Sequence, residues 1–194
     1  MASEIRKGLP VLAFGDAPAF EAWLARQPRD GAGLWLKLAK KGSGIASLSK
    51  AETVDAALCH GWIDGQMNPY DERSWLIRFT PRRPRSKWSL VNRERAEELI
   101  AAGRMRPAGL AEVDAAKADG RWDNAYPPHS RAEPPPDLQA ALDASPAAAA
   151  FFATLKGANR YALIYRVLDA RKPETRAARI AGFVAMLERG ETLY

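Results

Sequence analysis

The sequence predicts an α+β protein: a small, mostly antiparallel sheet with packed helices, followed by a helical C-terminal unit. Three observations carry this. Residues 34–39 (LWLKLA) and 74–80 (SWLIRFT) alternate with the two-residue period of strands. Ser49 and Glu52 stand at the spacing of a capping box and open an apolar stretch as a helix. Beyond residues 127–136, which hold five prolines, the chain is alanine-rich with apolar positions at helical spacing.

In chain order, Val11–Phe14 is expected as a short strand. Asp16 then caps a helix that turns Phe20, Trp23 and Leu24 inward. Gly31 and Gly33 break the chain before the 34–39 strand, and the helix opened by Ser49 should run to about Cys59. WIDGQ (62–66) and 74–80 should form a hairpin about residues 70–71. Matched parity then sets Asp64 opposite Arg78 and Trp62 opposite Thr80, with Trp75, Ile77 and Phe79 on the other face. Ser89 caps a helix to about Ala102, ended by Gly103, and Pro107 starts another that stops at Gly120.

The expected organisation is an α+β domain over 1–126, a semi-rigid proline-rich linker over 127–136, and a helical unit over 137–194. In the last of these, Asp137, Pro146 and Pro173 mark helix starts. Tyr161, Ile164, Tyr165 and Leu168 form one apolar stripe, and Ile180, Phe183, Val184 and Leu187 another.

Composition bounds the function. Of 194 residues, 29 are basic and 23 acidic, a net charge of +6 that favours anionic partners, although a solvated basic surface accounts for it equally well. Cys59 is the only cysteine, which excludes an intrachain disulfide and fits a reducing compartment. The first twenty residues hold no apolar run of signal-peptide length, and no 18 apolar residues run together. A cytoplasmic protein without a transmembrane segment is expected. Two histidines and one cysteine give no metal-ligand spacing, and no cofactor motif is present.

The candidate site lies between Cys59 and Asn92. From Arg73 to Arg93 the chain carries seven basic residues and no acidic one, interleaved with aromatic rings. Such a surface suits anions or stacked rings. Arg82 and Arg83 lie in a loop stiffened by Pro81 and Pro84, while Ser86, Trp88 and Asn92 add hydroxyl, indole and amide groups. Trp88, in the loop, is the tryptophan expected to be partly exposed. Trp62 and Trp75 stand on strands, where large apolar side chains are more often core. Asp64 has two readings: an ion-pair partner of Arg78, or a base or ligand-orienting group in a cleft. Asn92 either ties down the preceding loop or faces a ligand. Lys40 and Lys41 begin a KKGSG loop that could cradle a phosphate, or is simply a flexible turn. Cys59 and His60 are adjacent on a helix, about 100° apart, so they should not form a nucleophilic pair. No catalytic residue is assigned.

Several segments carry a family resemblance: LWLKLAKKGSG, ALCHGWIDGQ, RFTPRRPRSKWSLVN, AKADGRWDNAY and ARKPETRAARIAGFV. They resemble, in order and over nearly the whole chain, the YdeI/OmpD-associated or bacteriocin-protection family. The resemblance implies a link to envelope stress and resistance to cationic antimicrobial peptides, without an established reaction or cofactor. It also implies that the C-terminal helices correspond to the family's OmdA region.

Three functions of different class follow as expectations. The first is a non-enzymatic binding protein for an anionic small molecule or protein partner. The second is an enzyme acting on a phosphorylated or other anionic small molecule. The third is a nucleic-acid-binding protein, against which stands the absence of any helix–turn–helix, zinc-finger or RNA-recognition signature.

Overall fold

The computed structural model describes residues 4–194. The chain forms two compact units, the first ending at Ala125 and the second beginning at Tyr126.

The first unit is built on a five-stranded sheet. Its strands are β1 (Ile5–Arg6), β2 (Leu9–Leu12), β3 (Leu34–Ala39), β4 (Trp62–Pro69) and β5 (Ser74–Pro81), in the order β1-β2-β3-β5-β4. All neighbours are antiparallel except β2 and β3. That parallel pair is joined through α1 (Ala17–Leu24), since a parallel connection has to cross from one end of the sheet to the other. The turn between β1 and β2 uses Lys7 at φ 48° and Gly8 at φ 76°, the paired positive values that match hairpin twist. Strand β1 was not anticipated, and β2 starts two residues earlier than expected.

The caps work as the sequence suggests. Asp16 accepts the Ala19 N–H at 2.9 Å, opening α1. Ser49 and Glu52 bond reciprocally to open α2 (Lys50–Cys59), with Glu52 accepting from the Ser49 N–H at 2.8 Å. Ser89 caps α3 (Leu90–Ala101), and α4 (Pro107–Ala118) begins at its proline.

Alternation on β3 sends Leu34, Leu36 and Leu38 to one face, where they join Phe20, Leu24, Leu48, Trp62, Ile77 and Phe79 beneath α1 and α2. Trp35 takes the other face with Leu9 and Leu76, and its indole N–H donates to the Arg6 carbonyl at 3.1 Å. A third cluster joins the end of α2 to α3 and α4 through Leu58, Cys59, Trp88, Leu99, Val113 and Trp122.

The β4–β5 register differs from the expected one. Trp62 stands opposite Pro81 and Asp64 opposite Phe79, and an irregularity between Asp64 and Met67 then sets Met67 opposite Ile77. Asp64 therefore shares the helix-covered face with Phe79. Arg78, opposite Trp35, points the other way. The expected Asp64–Arg78 contact does not form. The turn lies at residues 70–73, and β4 spends one extra residue in a bulge, which shifts the parity.

The second unit contains α5 (Pro136–Asp143), α6 (Pro146–Thr154), α7 (Gly157–Leu168) and α8 (Pro173–Glu188). Its core gathers Leu138, Leu142, Phe152, Leu163, Ile164, Val167, Phe183 and Leu187. On α7 the buried positions are Leu163, Ile164 and Val167, of which Ile164 alone belongs to the expected stripe. The proline-rich stretch is packed into this unit: Ala132 is buried in its core, and the Tyr161 hydroxyl donates to the Pro127 carbonyl at 3.1 Å. Arg176 on α8 donates to Asp137 at 2.8 Å and to the Val167 carbonyl at 2.8 Å, tying α5, α7 and α8 together.

Candidate ligand pocket

Helix α2 ends at Cys59, and the chain reverses into β4 through His60 and Gly61, the latter at φ 76°. A left-handed turn is needed there, and space is lacking as well: a Cβ on Gly61 would lie 2.9 Å from the Ala108 carbonyl oxygen. Gly109 is tighter still, since a Cβ there would sit 2.4 Å from the Cys59 carbonyl oxygen. The first turn of α4 thus rests directly on the last turn of α2, and the Arg106 N–H donates to that same Cys59 carbonyl at 3.1 Å. At the far end of β5, the Arg82 N–H donates to the Gly61 carbonyl at 3.0 Å.

These three segments and the end of α1 enclose a pocket of about 220 Å³. Its apolar wall includes Leu24, Trp62, Pro81 and Ala108, and its polar groups are Gln27, Arg29, His60, Arg82 and Glu112. Arg82 is only 5% exposed. Its guanidinium carbon lies 3.5 Å from the centroid of the Trp88 ring, and Nη1 donates to the Lys87 carbonyl at 3.2 Å. Trp88 in turn meets Trp122 edge to face at 4.8 Å. A delocalised, weakly hydrated cation stacked on an indole is the form in which a positive charge is best kept inside a protein.

The Nε2 atom of His60 is buried and has no hydrogen-bond partner among the described residues. Burial pushes the imidazole pKa below its ordinary value; Glu21 opposes that shift and Arg106 adds to it. At the mouth, Arg29 donates to Glu112 at 3.0 Å; the Arg29 side chain is 67% exposed and that of Glu112 only 17%. Cys59 is buried in the core beside α3 and α4, with its thiol pKa raised chiefly by burial, so it is not poised as a nucleophile.

Of the sequence-derived candidates, Trp62 and Arg82 line this pocket and Trp88 backs it. Two expectations are corrected. Trp88 is 1% exposed, because its ring is clamped between Arg82 and Trp122. Arg82 belongs to the interior, not to an open basic loop. Arg83 remains on the exposed loop, where its N–H donates to the Ser86 hydroxyl at 2.8 Å and its Nη2 reaches the Gly31 carbonyl at 3.3 Å. The Ser86 carbonyl accepts from Arg121 at 2.8 Å.

Lys40 and Lys41 lie at the opposite end of the sheet. Lys40 Nζ donates to the Asp71 carbonyl at 2.9 Å, and Arg73 reaches the Ser43 carbonyl at 2.7 Å, so this turn is fastened to the β4–β5 turn. The length of β5, roughly 23 Å at strand rise, separates it from Arg82.

Asp64 and Asn92 do come together. The Asn92 amide donates to Asp64 Oδ1 at 3.4 Å, a long bond, in an open recess of about 580 Å³ that also touches Val54, Asp55, Val91 and Arg95. The strong ion pairs of this region do not involve Asp64 but Asp55. Asp55, 7% exposed, accepts from Arg95 at 2.6 and 2.5 Å and from Arg104 at 3.2 Å. These bonds, those of Arg95 foremost, hold its carboxyl below the usual range despite burial.

The pocket residues that sequence reasoning missed are Gln27, Arg29 and Glu112, together with His60 in this role. Arg29 and Glu112 are 83 positions apart, and no spacing rule joins them. His60 carried one local signal: it stands before a glycine at the end of a capped helix, where a side chain is aimed by the turn.

The first unit is thus an α+β domain with a charged cavity at the junction of sheet and helices, and the second is a four-helix unit, with no helix among the described residues long and apolar enough to cross a membrane. Residues 12–112, just over half of the chain, match the family described as a domain of unknown function, DUF8412, and the chain belongs to that family. Residues 131–190 match the family described as bacteriocin-protection, YdeI or OmpD-associated. The resemblance noted in the sequence is therefore matched over the C-terminal part alone. No curated protein and no solved structure matches the chain.

Proposed function

We propose that the protein is a non-enzymatic binding protein that takes a small anionic ligand into the His60–Arg82 pocket. The description of the C-terminal match suggests protection against bacteriocins or a related envelope stress as its setting. The observation that carries the proposal is the convergence of Arg29, His60 and Arg82 on the lining of one cavity. Cationic side chains gathered about a cavity favour a carboxylate or phosphate.

The test is titration of the full chain with inorganic phosphate and with short carboxylates, followed by tryptophan fluorescence and by NMR of the indole N–H groups. Arg82→Met preserves an apolar stem against Trp88 and should abolish binding. Arg83→Glu with Arg85→Glu, on the exposed loop, should reduce affinity less than threefold. Equal losses for the two variants would mean diffuse electrostatics and would overturn the assignment. Should Arg82→Met fail to fold, His60→Gln supplies the same comparison.

A further inference from the structure

A second recess shares no lining residue with the pocket beside His60. It opens between the first half of α2, the start of α3 and strand β4, and the Asp64–Asn92 pair lines it. Independently of the proposed anion, we infer that this recess binds a primary alkylammonium group, its N–H donors taken by Asp64 and Asn92 and its hydrocarbon chain laid on Val54 and Val91.

Asp64 is an incompletely satisfied carboxylate. It is half-buried, and its hydrogen bond among the described residues is the long one, 3.4 Å, that Oδ1 accepts from Asn92. Arg95 lines the same recess but is committed to Asp55 and Glu98. The first turn of α3 lends Asp64 partial positive charge without a full countercharge. A carboxylate drawn partly out of water calls for a cationic partner, and Asp55 shows what that looks like when the chain supplies it.

The acceptors are also open. Asp64 Oδ2 and Asn92 Oδ1 make no hydrogen bond among the described residues, yet neither is sealed from solvent. An ammonium group brings three donors to such a pair, whereas an anion would meet a like charge. Lys50 lines the recess too, but its exposed, flexible side chain can turn its head group into water when a ligand enters.

The rest of the recess suits a hydrocarbon chain. Val54 and Val91 form apolar wall, and Val91 is 45% exposed, so a ligand has apolar surface to cover. The volume of about 580 Å³ falls within the ~300–1,000 Å³ of small-molecule sites. None of the residues lining it is aromatic, and quaternary ammonium ions are bound by aromatic rings, so the fit is to a primary ammonium.

The full chain is titrated at neutral pH with n-butylamine, n-butyltrimethylammonium and n-butanol, read by NMR at the Asn92 side-chain amide and the Val54 and Val91 methyl groups. The amine should shift these signals together, and the quaternary ion and the alcohol should each bind about tenfold more weakly. Asp64→Asn keeps the shape and should weaken the amine by about tenfold while leaving the alcohol unaffected. Should that variant fail to fold, Val91→Ser, at a surface position, should weaken the amine about threefold. Nα-acetyl-lysine N-methylamide separates two origins of the group: tighter binding than n-butylamine assigns a peptide's lysine side chain, weaker binding a free amine, and both support the inference. Affinity for the quaternary ion or the alcohol equal to that for the amine would overturn it, as would unchanged amine affinity in Asp64→Asn. An amine that moves none of these signals would overturn it and leave the anion proposal standing.

Discussion

Asp55 and Arg82 are both charged side chains withdrawn from water in the first unit, at 7% and 5% exposure, and both lie near the end of α2 or the turn that follows it. Their surroundings differ. Asp55 is closed in by Arg95 and Arg104, with two short hydrogen bonds from the first and a longer one from the second on one carboxylate. Arg82 lies flat on Trp88, donates to a backbone carbonyl and borders a cavity. A carboxylate surrounded by guanidinium groups pins two helices and has nothing further to offer. Arg82 is instead seated on an aromatic face and a backbone carbonyl at the wall of a cavity. On the proposed function the contrast is between a charge that builds the fold and one that serves recognition, and four substitutions probe it.

Gly109→Ala should have the largest effect. The new methyl would lie 2.4 Å from a backbone oxygen, so α4 must withdraw and take Ala108 and Glu112 with it. A loss of about 3 kcal/mol in urea denaturation is expected, with the pocket disrupted and the Asp55 cluster retained. Unchanged stability would show that α4 is not seated on α2 in this way.

Asp55→Ala should cost about 2 kcal/mol. That is below the ~3–5 kcal/mol of breaking a fully buried pair, because Arg95 and Arg104 are 41% and 46% exposed and can regain water. The folded pKa of Asp55 is depressed, so its contribution is present above the unfolded carboxylate value of about 3.9 and is lost as pH falls through the folded one. The variant should flatten the acid limb of the stability profile while ligand affinity at neutral pH stays unchanged. A large drop in affinity would erase the distinction between the two sites.

His60→Gln should act through pH. With a folded pKa below the unfolded value of about 6.5, the unfolded chain binds the extra proton first. Stability tied to His60 is therefore complete above about pH 6.5 and declines as pH falls towards the folded value. The variant should lose that slope. In the wild type a bound carboxylate should raise the imidazole pKa, so affinity should grow as the solution is acidified towards pH 6. Parallel stability profiles for variant and wild type would remove His60 from the pocket's electrostatics.

Asn92→Ala should matter least, by under about 0.5 kcal/mol, because its bond to Asp64 is long and the recess is open to solvent. A cost above 2 kcal/mol would make that recess a second structural centre.

Local chemistry was the legible part of this chain. Asp16, Ser49 and Ser89 cap helices where their spacing says they should, because a cap depends on residues three positions away. The alternation of β3 was equally readable. What failed required knowledge beyond the neighbourhood. The β4–β5 parity turned on a single bulged residue, of which Gly65 inside the strand was the one local sign, and with it fell the Asp64–Arg78 pair. Trp88 and Arg82 looked like loop residues, yet a proline-rich loop can be folded inward when a tryptophan from another segment, Trp122, waits to receive it. The pocket drew two of its residues, Trp62 and Arg82, from the expected candidates. The others come from α1, the loop after it, the α2–β4 turn, the end of β5 and α4, and the two tight glycine contacts seat α4 on the end of α2.

The irregularity in β4 has a meaning beyond register. Strand β4 is the last in the sheet, and an unpaired strand edge can recruit another chain. Here the extra residue distorts the spacing of the outward N–H and C=O groups, and Pro69 lacks an N–H to offer. At the opposite border β1 is two residues long. Neither border presents a straight ladder long enough to template a partner, so at the high concentrations of a crowded cell the sheet should resist fibril-like growth without spending charge on its defence.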